Sequence, residues 1–123
     1  MTITEAINAI DDIYPNTLSP EHKIRALSEL DGKIKQTVID THEGGDKISF
    51  TPYDHNTPLD TELLTPSPYT SVYLYYLQAE VDLYNGETKR YNNSVTLFND
   101  AFNEFKKYYT RTHRQISAKL KYF

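Results

Sequence analysis

The stretch YTSVYLYYLQAEVDLYNGETKRYNNSVTLFNDAFNEFKKYYTRT, residues 69–112, decides the fold of this chain and holds 11 of its 16 aromatic residues. Asn85-Gly86 interrupts it, so it predicts two helices, Pro68–Tyr84 and Thr88–Thr112, that the short connection makes antiparallel neighbours. The second helix repeats its apolar residues with 4-3-4-3-4 spacing, which indicates one buried face: Tyr91, Val95, Phe98, Phe102, Phe105 and Tyr109.

Two further helices are predicted upstream of this hairpin. Thr2 and Glu5 fit a capping box that opens a short helix over residues 3–13. Ser19-Pro20 opens the next helix, which is expected to end at the glycines of residues 42–45. Its apolar stripe is Ile24, Leu27, Leu30, Ile34 and Val38. The sequence therefore predicts an all-α, four-helix bundle-like domain over residues 1–112.

Residues 46–66 form a long proline-containing loop between the two pairs of helices. Lys47–Thr51 alternates polar and apolar residues and could be a short β-strand, which would need a pairing partner. Leu59, Leu63 and Leu64 favour a loop docked on the protein over a free one.

The first helix of the hairpin carries the apolar run Val72–Leu77, which covers every face of nearly two turns. Such a helix is normally buried on all sides, and a small chain has few elements to cover it. We therefore expect another subunit to contact this helix and the loop, through Phe50, Leu63, Leu64, Tyr73, Tyr75 and Tyr76.

Charge divides the chain into an acidic body and a basic C-terminus. Residues 1–105 contain 17 acidic and 7 basic residues, a net charge of −10, whereas residues 106–123 contain six basic residues and no acid. This pattern predicts that the tail, residues 113–123, meets an acidic partner, although a merely solvated tail is an equally simple reading.

No residue set indicates catalysis, a cofactor or a metal site. The sequence has no cysteine, no pair of histidines four residues apart, and no phosphate-binding loop. The acids Asp54, Asp60 and Glu62 share one loop, where carboxylates are usually solvated. No apolar run could span a membrane, and residues 1–14 lack the basic start of a signal peptide. We therefore expect a non-enzymatic protein made in the cytoplasm.

Five segments carry a resemblance to a known family: TELLTPSPY (61–69), YLYYLQAEVD (73–82), YNGETKRYNNS (84–94), LFNDAF (97–102) and YYTRTH (108–113). They resemble small helical proteins of phages and prophages of Gram-positive gut bacteria, namely the head–tail connector, or adaptor, family of long-tailed phages. SPEHKIRALSELD (19–31) and IDTHEGG (39–45) fit the same pattern, so the resemblance covers most of the chain.

The resemblance implies a structural virion protein at the head–tail junction, made in the host bacterial cytoplasm. Its subunits would form a homo-oligomeric ring, expected to be twelve-fold, beneath the portal protein and above a neck or tail protein. Double-stranded DNA would pass through the ring. Residues 3–112 would form the ring, and the tail would dock on the portal through Arg114, Ile116, Lys119, Leu120, Lys121, Tyr122 and Phe123. A different small helical interaction or regulatory protein of phage or bacterial origin is the alternative.

Overall fold

The computed structural model of the protein describes residues 1–116, which form four α-helices. They are α1 (Ile3–Ile13), α2 (Pro20–Ile34), α3 (Ser71–Tyr84) and α4 (Thr88–Thr112). None of the described residues belongs to a named β-strand, and the predicted all-α class is confirmed. Helix α3 lies at the centre, because it contacts α1, α2 and α4.

Helix α1 has the predicted bounds and α2 begins where the sequence predicts, but α2 ends at Ile34, before the predicted end at residues 42–45. Thr2 and Glu5 form the capping box of α1, and the Ser19 hydroxyl accepts a hydrogen bond from the His22 N–H at 3.1 Å. A π-helical turn, Lys35–Ile39, extends α2. The chain then reverses at Gly44, whose φ of +84° suits glycine, and at Gly45, where a Cβ would lie 2.2 Å from the Ile39 carbonyl oxygen.

The start of α3 was predicted wrongly at Pro68. Residues 66–69 form a turn, in which the Tyr69 N–H donates to the Pro66 carbonyl at 2.9 Å, and the helix begins at Ser71. Helix α4 has the predicted bounds. Its apolar stripe is fully buried at Phe105 and mostly buried at Tyr109, whereas Phe98 and Phe102 are half-buried.

The chain itself covers most of the apolar run of α3. Val72, Tyr73 and Leu77 are 0% exposed, and the three residues between them are half-buried. The expectation that Tyr73 and Leu63 lie on a subunit interface is therefore wrong, because both side chains are buried in this chain's own core. Three helices and the loop pack around α3, so the chain buries more of this helix than the sequence predicted.

Residues 46–66 are docked on the bundle through Leu63 and Leu64, as predicted, whereas Leu59 is 51% exposed. The possible strand over 47–51 does not form: a 3₁₀ turn, Gly45–Lys47, precedes an extended segment that has no β partner among residues 1–116. Further along, the loop bonds to the N-terminus: the Ile3 N–H donates to the Thr61 carbonyl at 3.1 Å and the Leu63 N–H to the Met1 carbonyl at 2.9 Å.

One buried carboxylate, Asp31 of α2, fastens both ends of the loop to the helices. Asp31 is 0% exposed and accepts hydrogen bonds from the Tyr53 hydroxyl (2.6 Å), the Tyr73 hydroxyl (2.7 Å) and the Leu64 N–H (3.1 Å). The Tyr73 hydroxyl in turn accepts the Thr65 N–H at 2.7 Å. Burial raises the pKa of Asp31, against the lowering effect of these donors. We call these groups the Asp31 cluster.

Candidate functional site: the basic end of α4

The strongest candidate for a functional surface is the basic end of α4, which we define as Lys106, Lys107, Arg111 and Arg114. All four side chains are exposed, and no acidic residue follows Glu104 in the sequence. Cations at the C-terminal end of a helix also interact favourably with the carbonyl groups that the helix leaves unpaired there. The result is a positive patch on a protein whose net charge is −4, in which Lys107 and Arg114 each lie 3.7 Å from a carboxylate, of Glu104 and Glu43 respectively.

The inner side of the same turns is held in place by His42, which is buried. Its Nδ1 lies 2.6 Å from the Val38 carbonyl oxygen, and its Nε2 lies 3.1 Å from the Thr110 hydroxyl. Because a carbonyl oxygen only accepts, Nδ1 carries a proton and donates it to Val38, and Nε2 lies within hydrogen-bond distance of the Thr110 hydroxyl. The His42 ring also meets the Tyr109 ring edge-on, with centroids 4.9 Å apart. This contact joins the segment that follows α2 to the end of α4.

The C-terminal segment leaves α4 along a fixed path over residues 114–116. The Glu43 N–H donates to the Arg114 carbonyl at 2.8 Å, and the Ile116 N–H donates to the Thr41 carbonyl at 2.9 Å. His42 and Gln115 are thus an isolated antiparallel bridge. These two bonds therefore hold residues 114–116 against the body of the protein.

Tyr109 lies at the centre of this region. Its ring stacks on His113, with centroids 3.9 Å apart and planes 5° from parallel. Burial raises the pKa of the Tyr109 hydroxyl, with smaller contributions from Tyr108 and Asp40. This hydroxyl has no hydrogen-bond partner among residues 1–116.

Two of the seven predicted portal-docking residues lie among the described residues. Arg114 is exposed and Ile116 is half-buried at the start of the segment. The other five lie outside the described residues: Lys119, Leu120, Lys121, Tyr122 and Phe123.

Four of the six predicted interface residues reach the surface in part. Phe50, Leu64, Tyr75 and Tyr76 are half-buried. Tyr76 lies in a groove of about 240 Å³ between the helices, where its ring meets Phe98 edge-on at 5.3 Å. Burial, with nearby carboxylates, raises the pKa of Tyr76 to about 12. The predicted interface is therefore smaller than expected, because two of its six residues, Leu63 and Tyr73, are buried.

Sequence reasoning missed two buried acids, Asp31 and Asp82. Asp82 accepts hydrogen bonds from the Ser94 hydroxyl at 2.6 Å and from the Tyr14 hydroxyl. Both acids join separate segments, and their hydroxyl and amide partners satisfy the carboxylates within the fold. A signal existed for Asp31 and for His42, because Asp31 lies four residues after Leu27 and His42 four residues after Val38, so both continue the apolar face of α2.

The loop carboxylates Asp54 and Glu62 make contacts at the surface. Asp54 accepts from the Asn56 N–H at 2.8 Å, and Glu62 lies 3.1 Å from the N-terminal amine. Over residues 1–116, no group of three metal-ligating side chains is close enough to hold an ion. No helix in the described part of the chain is long and apolar enough to cross a membrane.

Comparison of the chain with protein-family models, curated proteins and solved structures found no match.

Proposed function

We propose that this protein is a head–tail connector of a long-tailed phage, which assembles as a ring and docks on a portal protein through its C-terminal segment. The proposal rests on the sequence resemblance given above and on one structural observation. The positive charge gathers at the end of α4, from which the chain continues into the segment that carries the remaining cations.

The contacts at residues 41–43 suit a docking role for the segment that follows. The backbone bonds of Arg114 and Ile116 hold its start against the body, and His42 holds the end of α4 behind it. A segment with a fixed starting direction loses less conformational freedom on binding than one that begins at a frayed helix end. Basic side chains on it would attract an acidic portal surface.

The ring would use the half-buried aromatic residues that remain at the surface. Phe50 and Leu64 lie on the docked loop, and Tyr75 and Tyr76 lie on α3. Tyrosine and phenylalanine are enriched at protein interfaces, so these residues are the proposed subunit contacts. The resemblance supplies the expected twelve-fold symmetry, the neck or tail protein below and the place at the virion head–tail junction.

A second function, a small helical interaction or regulatory protein, is favoured by the coverage of α3. Three residues of Val72–Leu77 are buried and the other three are half-buried, so the chain itself covers most of this run. A chain that satisfies its own core can act as a monomer. Ring formation with a portal protein separates the two functions.

Binding to the portal protein encoded by the same genome tests the docking role. A chain that ends at Ile116 keeps the described contacts and lacks residues 117–123, whereas Arg25→Gln with Lys47→Gln removes two exposed cations elsewhere. We expect the truncation to abolish portal capture in a pull-down and the double substitution to leave it intact. Equal capture by the truncated and full-length chains would refute docking through the tail.

A further inference from the structure

The outer face of α4 carries a second pattern, which shares Lys106, Lys107 and Arg111 with the basic end of α4. It lies opposite the buried residues Ser94, Phe105 and Tyr109. Positions three or four residues apart bring four asparagines and one threonine to this face, all exposed: Asn92, Asn93, Thr96, Asn99 and Asn103. Cations flank them, with Lys89 at one end and Lys106, Lys107 and Arg111 at the other.

This composition is costly for a helix. Asparagine and threonine are among the poorer helix formers, and on an exposed face no packing compensates for that. Alanine, glutamate or glutamine would stabilise α4 better at the same positions. The presence of asparagine and threonine despite this loss of helix stability is consistent with selection for side chains that bind a ligand.

The charges on the face are available to a ligand. Asp100 is its one acid, since Glu104 lies at its edge. Within residues 1–116, Lys106 and Arg111 are in no ion pair, and the Lys107–Glu104 pair is exposed with 3.7 Å between the charged atoms. An exposed pair of this kind is weak and opens easily.

We propose that this outer face of α4 binds the sugar–phosphate backbone of double-stranded DNA without sequence preference. Lysine, arginine, asparagine and threonine are side chains that proteins use to contact phosphates and sugars. The 25 residues of α4 span about 37 Å, close to the roughly 34–36 Å of one duplex turn. This inference deepens the proposed connector function, because a ring around DNA must turn one face of its subunit towards the duplex.

An acidic protein fits this face less well. Stable protein interfaces have an apolar or aromatic centre, whereas the middle of this face is asparagine and threonine. The exposed Leu97 lies to one side of the face, beyond Asn93 and Asp100. The net charge of −10 over residues 1–105 opposes DNA binding at long range, so binding should be weak and confined to low salt.

The test is fluorescence anisotropy of the full-length protein with two unrelated 36-base-pair duplexes over a series of salt concentrations. Lys106→Gln/Lys107→Gln/Arg111→Gln removes three cations from the face. Arg25→Gln/Lys33→Gln/Lys47→Gln removes three exposed cations elsewhere and is the matched control for net charge. We expect wild type to bind both duplexes equally at low salt and the α4 variant to bind at least tenfold more weakly than the control.

The salt dependence gives an independent reading. Each phosphate contact contributes about −0.9 to the slope of log K against log salt, so losing three contacts should make the slope shallower by about 2.7. The control should keep the wild-type slope. Absence of wild-type binding at low salt, or equal weakening in both variants, would overturn the proposal.

A second variant separates binding from stability. Asn99→Ala/Asn103→Ala replaces poor helix formers by the best one, so the melting temperature should rise while DNA binding weakens several-fold. Unchanged DNA affinity would mean that the asparagines make no contact and would refute their role.

Portal capture by the lysine–arginine variant is measured in parallel. If DNA binds through α4 but the wild-type protein captures no portal, the connector function is refuted and the DNA-binding surface stands. If the wild-type protein captures the portal but DNA does not bind through α4, only the DNA-binding surface is refuted.

Discussion

The Asp31 cluster predicts that two chemically identical substitutions have unequal effects. Tyr53→Phe and Tyr73→Phe each delete one hydroxyl that donates to the same buried carboxylate. At Tyr53 this is the one bond that the hydroxyl makes within residues 1–116. At Tyr73 the hydroxyl also accepts the buried N–H of Thr65, which would be left without a partner.

The size of each effect follows from these bonds. A hydrogen bond to a charged group contributes about 1.5–3 kcal/mol, so Tyr53→Phe should lower the free energy of unfolding by that amount. Leaving the Thr65 N–H buried and unpaired adds about 1–3 kcal/mol, so Tyr73→Phe should cost about 2.5–6 kcal/mol. With an unfolding entropy of about 2.1 cal/mol/K per residue, 1 kcal/mol corresponds to about 4 °C in melting temperature for a chain of this length.

Urea denaturation and thermal melting followed by circular dichroism measure the difference. Tyr84→Phe is the matched control, because that side chain is 61% exposed and its loss should change stability by less than about 0.5 kcal/mol. Trypsin should also cleave after the exposed Lys47 faster in Tyr53→Phe, because the loop loses one of its attachments. Equal destabilisation by the two substitutions, or a loss below 1 kcal/mol at Tyr73, would refute the hydrogen-bond arrangement described for Asp31.

Three further predictions concern the core, the pH dependence and the C-terminal segment. Phe105→Ala should lower the free energy of unfolding by about 3–5 kcal/mol and the half-buried Phe98→Ala by clearly less, measured in urea; equal losses would contradict the orientation of α4. Burial raises the pKa of Asp31 above its ordinary 3.8, so the folded state binds the Asp31 proton more tightly than the unfolded state does. Protonation of Asp31 therefore stabilises the fold fully below pH 3.8, and this stabilisation is lost as the pH rises through the raised pKa. In urea titrations from pH 3 to 7, the difference in unfolding free energy between wild type and Asp31→Asn should therefore shift against wild type as the pH increases, and a constant difference would show that the pKa of Asp31 is not raised. A chain that ends at Ile116 should melt at the wild-type temperature, whereas one that ends at His113 should melt a few degrees lower, since it lacks the backbone bonds to Thr41 and Glu43; identical melting would mean that those bonds contribute nothing.

The sequence predicted the elements whose signals are local. The capping box of Thr2, the Ser19-Pro20 start and the heptad spacing of α4 depend on neighbours a few residues away, and all three agree with the structure. The 47–51 strand was predicted wrongly, because alternation alone does not supply the second strand that a ladder needs. Phe50 and Tyr53 of this region instead stack edge-on at 5.3 Å beside α2.

The contacts that position the candidate site join residues far apart in the chain, and single-sequence patterns could not give them. His42 bonds to Thr110 across 68 positions and Asp31 to Tyr73 across 42. The sequence alone predicts the positive charge at the end of α4. It does not predict that residues 114–116 bond to the backbone of residues 41–43. Tyr73 was assigned to the surface because counting apolar faces on one helix does not reveal how many neighbours surround it.

Electron microscopy of the full-length protein mixed with the portal protein encoded by the same genome tests the central claim most directly. The connector function predicts an additional ring of density on one end of the portal, with the α4 ends of its subunits towards the portal, and its loss when the chain ends at Ile116. A portal that stays bare at high concentrations of the full-length protein, while that protein remains monomeric by light scattering, would contradict the claim and favour the small interaction protein.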